Sequence, residues 1–211
     1  IFENCTSTHS GGALFVYCKD VYETESIKDY GEYAIQLTEC NFTFCKSGKE
    51  GGAISSGEPR TDGQEGALGD NDFLLLNCYF TECESGNGGA LFFQDGTKEG
   101  NEETIIMRCY FINCFASGGE GYAISSRSYK LSITACSFTE HKRGNVGSSH
   151  CIVYIEMNEA QVSPTFLSNT FEDNNINAFN IIVNDQVLIN NLNINNYNND
   201  PQDNKSESNN D

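Results

Sequence analysis

The chain has 211 residues, with 30 acidic against 12 basic side chains and a formal net charge of −18. This acidic excess argues against a nucleic-acid partner, because phosphate binding requires clustered Lys and Arg, and against close contact with anionic lipid. No stretch reaches the roughly 18 consecutive apolar residues of a membrane span, so the sequence predicts no transmembrane segment in this chain.

The first residues, Ile-Phe-Glu-Asn-Cys, lack the basic and apolar regions of a signal peptide. They match the middle of a repeated unit instead. We therefore expect the chain to be a fragment of a longer protein.

One sequence unit recurs from the start of the chain: Cys-x-Phe-x-x-Cys, a few polar residues with Ser-Gly, and then Gly-Gly-Ala-Ile/Leu. Its Phe residues are Phe2, Phe42, Phe80, Phe111, Phe138 and Phe171. The Gly-Gly-Ala element stands at residues 11, 51 and 88 and becomes Gly-Tyr-Ala at 121. The last two copies are degraded, with His141 and Asn174 at the final Cys position. Successive Phe residues are 27 to 40 residues apart, and repetition at such intervals is typical of solenoids.

In several copies, apolar residues precede the repeat Phe at constant offsets. Ile35, Leu37 and Cys40 lie seven, five and two residues before Phe42, and the same offsets hold in two later copies. Alternation with a period of two predicts a strand with one buried face, and the step to three predicts a bend before a second strand. Another strand follows each Gly-Gly-Ala, so we expect about three short strands per unit.

Such strands cannot bury their apolar faces alone, but stacked as successive coils about 4.8 Å apart they cover one another. We therefore interpret the chain as an all-β fold, a right-handed parallel β-helix solenoid of about five to six coils over residues 1–196. Like residues would form columns, with Phe on Phe inside and Gly on Gly at tight turns. The polar stretches 57–71 and 95–103 would form loops on one side.

The composition shifts towards Asn from about Asn169 onward. The buried spacing persists at four late positions, which predicts that part of this region is still a coil. These positions are Val187, Ile189, Leu192 and Ile194. Residues 197–211 have nothing to bury, so we expect a disordered Asn/Asp-rich tail.

The pairing of Gly-Gly-Ala-Ile/Leu with Phe-x-x-Asn resembles the repeats of the polymorphic outer membrane proteins of chlamydiae and related surface repeat proteins of some protozoa. The resemblance covers roughly residues 1–195. Its Asn position departs from the family, because Cys, His141 or Asn174 stands there in this chain. The resemblance implies a right-handed β-helix exposed at a cell surface with a role in adhesion. It carries over no binding residue, because the motif positions are structural.

Eight of the ten cysteines fall into two columns. The columns are Cys40, Cys78, Cys109 and Cys136, and Cys5, Cys45, Cys83 and Cys114. The two columns are five residues apart within a unit, up to about 16 Å, whereas adjacent coils are close enough for vertical disulfides. We favour buried thiols that fill the stack and keep disulfides as the alternative. Zinc is disfavoured, since no Cys-x-x-Cys pair occurs.

Acidic pairs are the main route to catalysis that the sequence offers, because glycoside hydrolysis needs two carboxylates about 5 to 9.5 Å apart. Asp70 and Asp72 would share one face of a strand, whereas Glu172 and Asp173 on a strand would point to opposite faces. All four fit solvated acids better, and no regular ligand spacing supports calcium at residues 70–72. The Gly-His-Gly, Arg-Ile-Lys and paired-Asp motifs of polygalacturonase-like enzymes are missing.

The three histidines, His9, His141 and His150, form no Ser-His-Asp or Cys-His arrangement in the sequence. We interpret them as loop or core residues.

Asn-x-Ser/Thr occurs at Asn4, Asn41 and Asn204, which would be glycan acceptors in a eukaryotic secreted protein. Asn41 lies between inward Cys40 and Phe42 and is expected to face solvent.

The sequence predicts no catalytic, cofactor-binding or metal-binding residue. The leading hypothesis is a non-catalytic secreted or cell-surface module for adhesion or scaffolding. Its partner would be a host-cell or extracellular protein or glycan, bound on the side that carries loops 57–71 and 95–103. The alternatives are a polysaccharide hydrolase or lyase of the pectin-lyase-like β-helix class, and a structural spacer without a ligand.

Overall fold

A computed structural model describes residues 1–16, 35–56, 73–94, 104–118, 120–127, 131–141, 150–157, 164–174, 176–183, 186–190 and 197–198. The described residues form strands and turns and contain no helix. In chain order the strands are β1 (Phe2–Glu3), β2 (Thr6–Ser7), β3 (Leu14–Val16), β4 (Ile35–Thr38), β5 (Asn41–Thr43), β6 (Lys46–Ser47), β7 (Ile54–Ser56), β8 (Phe73–Leu76), β9 (Tyr79–Thr81), β10 (Glu84–Ser85), β11 (Leu91–Phe93), β12 (Thr104–Met107), β13 (Tyr110–Ile112), β14 (Phe115–Ala116), β15 (Ile124–Ser126), β16 (Leu131–Thr134), β17 (Ser137–Thr139), β18 (Cys151–Met157), β19 (Thr165–Leu167), β20 (Thr170–Glu172), β21 (Asn177–Val183), β22 (Gln186–Asn190) and β23 (Tyr197–Asn198).

The strands form four stacked sheets, numbered here in the order in which the chain passes through them. Sheet 1 is β4-β8-β12-β16-β19, sheet 2 is β1-β5-β9-β13-β17-β20-β23, sheet 3 is β2-β6-β10-β14, and sheet 4 is β3-β7-β11-β15-β18-β21-β22. Every pairing is parallel except β20 with β23 and β21 with β22. The predicted all-β, parallel stacking is confirmed, and the arrangement fits a parallel β-helix.

The core is built from columns of like residues, as predicted. The six Phe residues of the repeat stack on one another in sheet 2, with ring centroids 4.7 to 5.0 Å apart and ring planes within 6° of parallel. In sheet 1 the period of two holds, because Phe73 and Leu75 are buried while Leu74 and Leu76 are half-buried on the opposite side. Apolar burial along these columns supplies the main driving force for stacking.

The predicted bends occur where single residues adopt left-handed backbone conformation. Each residue other than Gly with this conformation directly precedes a column Cys, or the His or Asn that replaces it, with φ between 50° and 61°. These corner residues are Asn4, Glu39, Phe44, Asn77, Glu82, Arg108, Asn113, Ala135, Glu140, Ser168 and Asp173. One left-handed residue redirects the chain, so each coil turns sharply before and after its sheet 2 strand.

The second Gly of the Gly-Gly-Ala element lies against the next coil. A Cβ at Gly52 would lie 2.1 Å from the carbonyl oxygen of Gly89, and a Cβ at Gly89 would lie 2.1 Å from that of Tyr122. Tyr122 itself carries a side chain because sheet 3 ends at β14 among the described residues. Its buried ring packs edge-on against Phe115, with centroids 5.2 Å apart, and covers the end of that sheet.

Two features differ from the sequence prediction. Each of the complete coils supplies four strands rather than about three, because the two-residue strands of sheet 3 are mostly polar and show no apolar alternation. The prediction that Val187 and Ile189 continue the coil is wrong, since β22 runs antiparallel to β21. Only two residues separate these strands, and so short a connection permits only an antiparallel pair.

Several predicted segments lie outside the described residues: loops 57–71 and 95–103, Cys18, Leu192, Ile194 and residues 199–211. Tyr197–Asn198, at the start of the predicted tail, pairs antiparallel with β20.

Candidate binding surface

The two cysteine columns act as hydrogen-bond donors inside the stack. In the first column, the Cys78 thiol lies 3.4 Å from the Leu37 carbonyl oxygen of the preceding coil, and Cys109 lies 3.6 Å from that of Leu75. In the second column, the Cys114 thiol lies 3.5 Å from the Phe80 carbonyl oxygen. All nine described cysteines are free thiols, so the structure has the buried-thiol arrangement rather than vertical disulfides.

Both columns end in asparagine. The Asn169 side-chain amide donates to the Ile133 carbonyl at 2.8 Å and accepts from the Cys136 backbone N–H at 2.9 Å. Asn174 bonds to Phe138 and His141 in the same way. Cys and Asn are therefore interchangeable as donors at these corners, which explains why Cys stands where Phe-x-x-Asn would have Asn. Sequence reasoning missed Asn169, although its offset from Phe171 matches that of Cys136 from Phe138.

The pKa values of the described thiols differ: hydrogen bonds from neighbouring column thiols lower the pKa of Cys45 to about 7, whereas Cys109 and Cys151 are poor nucleophiles. The adjacent Cys136 thiol, together with burial, raises the pKa of Cys109 to about 12. Burial raises the pKa of Cys151 to about 12 as well. Because the thiolate is the reactive form, these side chains are protonated and inert at neutral pH.

The three histidines have different partners. His141 is buried in the second cysteine column, with Nδ1 3.0 Å from the Asn174 side-chain oxygen. His150 has Nδ1 3.3 Å from the Tyr122 hydroxyl, and exposed His9 has Nδ1 3.0 Å from the Thr8 hydroxyl. These positions fit the predicted loop and core roles.

The predicted acidic candidates gain little support as a catalytic pair. Asp70 and Asp72 lie outside the described residues. Glu172 ends β20 and Asp173 is the corner residue after it, and both are exposed. Because Asp173 belongs to a corner, the expectation of opposite faces on one strand does not apply. Among the described residues, no group of three or more His, Cys, Asp or Glu side chains is placed to hold a metal ion.

The outer face of sheet 2 carries several exposed side chains in the described part of the fold. Tyr79 and Tyr110 project from it on adjacent strands, 43% and 41% exposed, with rings stacked 4.6 Å apart and 5° from parallel. Asn41 precedes them in the same column and is exposed, which confirms that it faces solvent. Asn4 is exposed at a corner, whereas Asn204 lies outside the described residues. Sequence reasoning missed the Tyr pair, whose signal is the residue immediately before each repeat Phe.

Sheet 4 is different, because its outer face is buried except at one edge, where Phe15 is 42% exposed. Ser55, Phe92 and Ser125 share one outward column there, and none is more than 2% exposed. The Ser55 hydroxyl has no hydrogen-bond partner. Sheet 2 therefore has exposed side chains along its outer face, whereas the centre of sheet 4 does not. No helix in the described ranges has the length and apolar character needed to cross a bilayer.

The fold and this surface together define a stacked-coil β protein with a packed interior and a variable outer face. Comparisons with protein-family models, with curated proteins and with solved structures find no match.

Proposed function

We propose that the chain is a non-catalytic module of a right-handed β-helix of about five to six coils, which acts outside the cell or at its surface in adhesion or as a scaffold. The observation that carries this proposal is that the inward side of the strands is repeated from coil to coil, whereas the outward side is variable. Repeated Phe, Cys and Gly residues are used for stacking, hydrogen bonding and turning. The outward residues of sheet 2 differ from coil to coil, as in solenoids that bind partners along one face.

Two further features support a surface role. The motif resemblance to chlamydial and protozoan surface repeats implies adhesion by an exposed β-helix. Asn4 and Asn41, each in an Asn-x-Thr sequence, are exposed, as glycan acceptors must be. The acidic chain would repel anionic polymers, so proteins or uncharged glycans of a host cell or matrix are its expected partners.

The test uses the purified domain in two parallel assays. It is incubated with a panel of neutral and acidic polysaccharides, with and without calcium, and new reducing ends and unsaturated products are measured. Binding of the same sample to intact cells and to matrix proteins is then titrated. We expect saturable binding and no product. Product formation would contradict the proposal, as would the absence of binding to every surface.

One observation favours a second candidate, a polysaccharide hydrolase. Glu50 and Glu120 occupy the same repeat position two coils apart, with Asn87 between them. Burial raises the pKa of both carboxyl groups. Two coil spacings amount to about 9.6 Å, close to the upper limit of about 9.5 Å for an inverting pair. Product that disappears in Glu50→Gln and Glu120→Gln, but persists in the exposed control Glu39→Gln, would establish this alternative.

A further inference from the structure

The outward side of two adjacent coils is apolar over two neighbouring sheets. On sheet 1, Leu74 and Leu76 of β8 lie on the opposite side from the buried core residues and pair with Ile105 and Met107 of β12. Across the bend, Tyr79 and Tyr110 continue the same two coils on the outside of sheet 2. We call these residues the outward patch: Leu74, Leu76, Tyr79, Ile105, Met107 and Tyr110.

Polar residues occupy the same positions in the coils on either side. Before the outward patch, the outward positions are filled by Gln36, Thr38 and Asn41. After it, they are filled by Ser132, Thr134 and Ser137. The fold therefore does not require apolar side chains at these outward positions. An apolar centre inside a polar rim is the usual arrangement of a protein-binding surface.

The surroundings of the outward patch are acidic. Among the described corner residues and the outward residues of sheet 2, six are acidic and only Arg108 is basic. The acidic residues are Glu3, Glu39, Glu82, Glu140, Glu172 and Asp173. The whole chain carries a formal charge of −18. This field favours a cationic partner and opposes a second copy of the same chain.

Size also argues against a second copy. The outward patch is two strands wide and six residues long, or about 10 by 20 Å on strand geometry. That is about 200 Å², well below the roughly 800 Å² per partner of a standard interface. The outward patch suits a short segment that anchors two or three apolar side chains, with Tyr79 and Tyr110 as aromatic contacts.

We propose that the outward patch docks a cationic protein segment, in which apolar anchor residues are flanked by Lys or Arg. The anchors pack on Leu76, Tyr79, Met107 and Tyr110, and the flanking cations face the acidic corners. This inference rests on the proposed function as a binding module, and it places the partner on the regular outer face rather than on the loops.

The test replaces patch residues by the residues that this chain itself uses one coil away. The patch variant combines Leu76→Thr, Tyr79→Asn, Met107→Thr and Tyr110→Ser, which copy Thr38, Asn41, Thr134 and Ser137. The matched control is Phe15→Ser, a 42% exposed residue on sheet 4 whose neighbour in the next coil is Ser55. Urea unfolding verifies that both variants fold. If the fourfold variant does not, the two single Tyr substitutions replace it.

The probe is a random-peptide phage library selected against the wild-type domain, with recovered peptides synthesised and titrated by calorimetry. We expect peptides with apolar or aromatic residues flanked by Lys or Arg. Their Kd should rise at least tenfold in the patch variant, remain unchanged in the control, and rise with added salt. A glycan array and sedimentation velocity are run with the same three proteins.

Four results would overturn the inference: no peptide is recovered; recovered peptides lack cations; they bind the patch variant as tightly as wild type; or the outward patch mediates glycan binding or self-association instead. These failures are separate from failure of the proposed function. Polysaccharide cleavage by the wild-type domain would refute the binding-module function, whatever the peptide results are. If the domain binds cells but peptides do not bind the outward patch, only this inference is refuted.

Discussion

At the scale of single residues, the corners have a conformational cost. The left-handed conformation costs an L-residue other than Gly or Asn about 1 to 2 kcal/mol, and Phe44, Arg108 and Ala135 all adopt it. Each corner residue immediately precedes a column residue, and in every coil after the first of each column that residue is buried and bonds through its side chain to a neighbouring coil. The hydrogen bonds and packing of the column therefore offset local strain in the corner.

A glycine at a corner should relieve this strain. We predict that Ala135→Gly raises the free energy of unfolding by about 0.5 to 1 kcal/mol, because the relief at φ 53° exceeds the extra entropy that Gly loses on folding. Ala135 is exposed, so no packing is lost. Ser132→Gly, on a strand three residues earlier, is the control and should destabilise. Equilibrium urea unfolding measures both, and a lower stability for Ala135→Gly would disprove the strain argument.

The exchange of thiol for amide at the column position is a second effect at this scale. A thiol donates one weak bond to the preceding coil, whereas the Asn169 amide donates one bond and also accepts one from the Cys136 N–H. The amide oxygen is thus a good acceptor for a backbone N–H. Where a Cys occupies the position, the acceptor is the weaker sulfur, as for the Cys109 N–H, which lies 3.4 Å from the Cys136 sulfur. Cysteine keeps the column apolar and asparagine makes it more fully hydrogen-bonded.

At the scale of elements, two buried thiols, Cys109 of the first cysteine column and Cys151 of β18, make stability depend on alkaline pH. The pKa of Cys151 and of Cys109 rises from an ordinary 9.0 to about 12 in the folded state. Between these values the unfolded chain loses thiol protons that the folded chain retains. The contribution of these two thiols to the free energy of unfolding is therefore fully present below pH 9 and is lost as the pH rises towards 12.

We predict that the free energy of unfolding falls between pH 8 and pH 10 by about 1.4 kcal/mol for each such thiol. The double variant Cys109→Ala/Cys151→Ala should show a decline that is smaller by about 2 to 3 kcal/mol, although its stability at pH 7 is lower because of the cavities. Urea unfolding across this pH range, under reducing conditions, measures the slopes. Equal slopes for the two proteins would show that these thiols do not titrate as buried groups.

The elements that could be predicted from the sequence are those with a strong period. The Phe column and the alternation in sheet 1 follow from regular offsets of apolar residues, and the bend follows from the change in offset. The strands of sheet 3, such as Lys46–Ser47, are mostly polar and are held by backbone bonds to adjacent coils, so no apolar pattern marks them. The reversal at β22 depends on the short connection to β21, whereas its Val187 and Ile189 copy the spacing of a coil.

The candidate site could likewise be predicted only in part from the sequence. Tyr79 and Tyr110 belong to the repeat unit, but only the register that pairs β9 with β13 shows that their rings stack on the outside. The sequence prediction instead placed binding in loops 57–71 and 95–103, which lie outside the described residues. Outward positions carry no packing constraint, so their sequence pattern alone does not distinguish a binding surface from solvent-facing residues.

At the scale of the whole molecule, the fold separates the inward residues that stack from the outward residues that vary. Adjacent coils share the same interior columns, so neighbouring coils stabilise one another as in other solenoids. Substitutions on the outer face of sheet 2 can therefore vary the proposed binding surface without disturbing the stack. This separation depends on one structural claim, the in-register parallel pairing of equivalent repeat positions.

A paired-histidine metal clamp tests this register most directly. Thr43 and Thr81 pair on the outer side of sheet 2, about 4.8 Å apart on strand geometry, so Thr43→His/Thr81→His should bind Ni²⁺ between the two rings. Nickel at a hundredfold its Kd would then raise the free energy of unfolding by about 2.7 kcal/mol. In the control Thr43→His/Thr139→His the histidines are three coils apart, and nickel should have no such effect. Stabilisation of the adjacent pair alone is the predicted result; equal stabilisation of both pairs, or of neither, would contradict the stacked register.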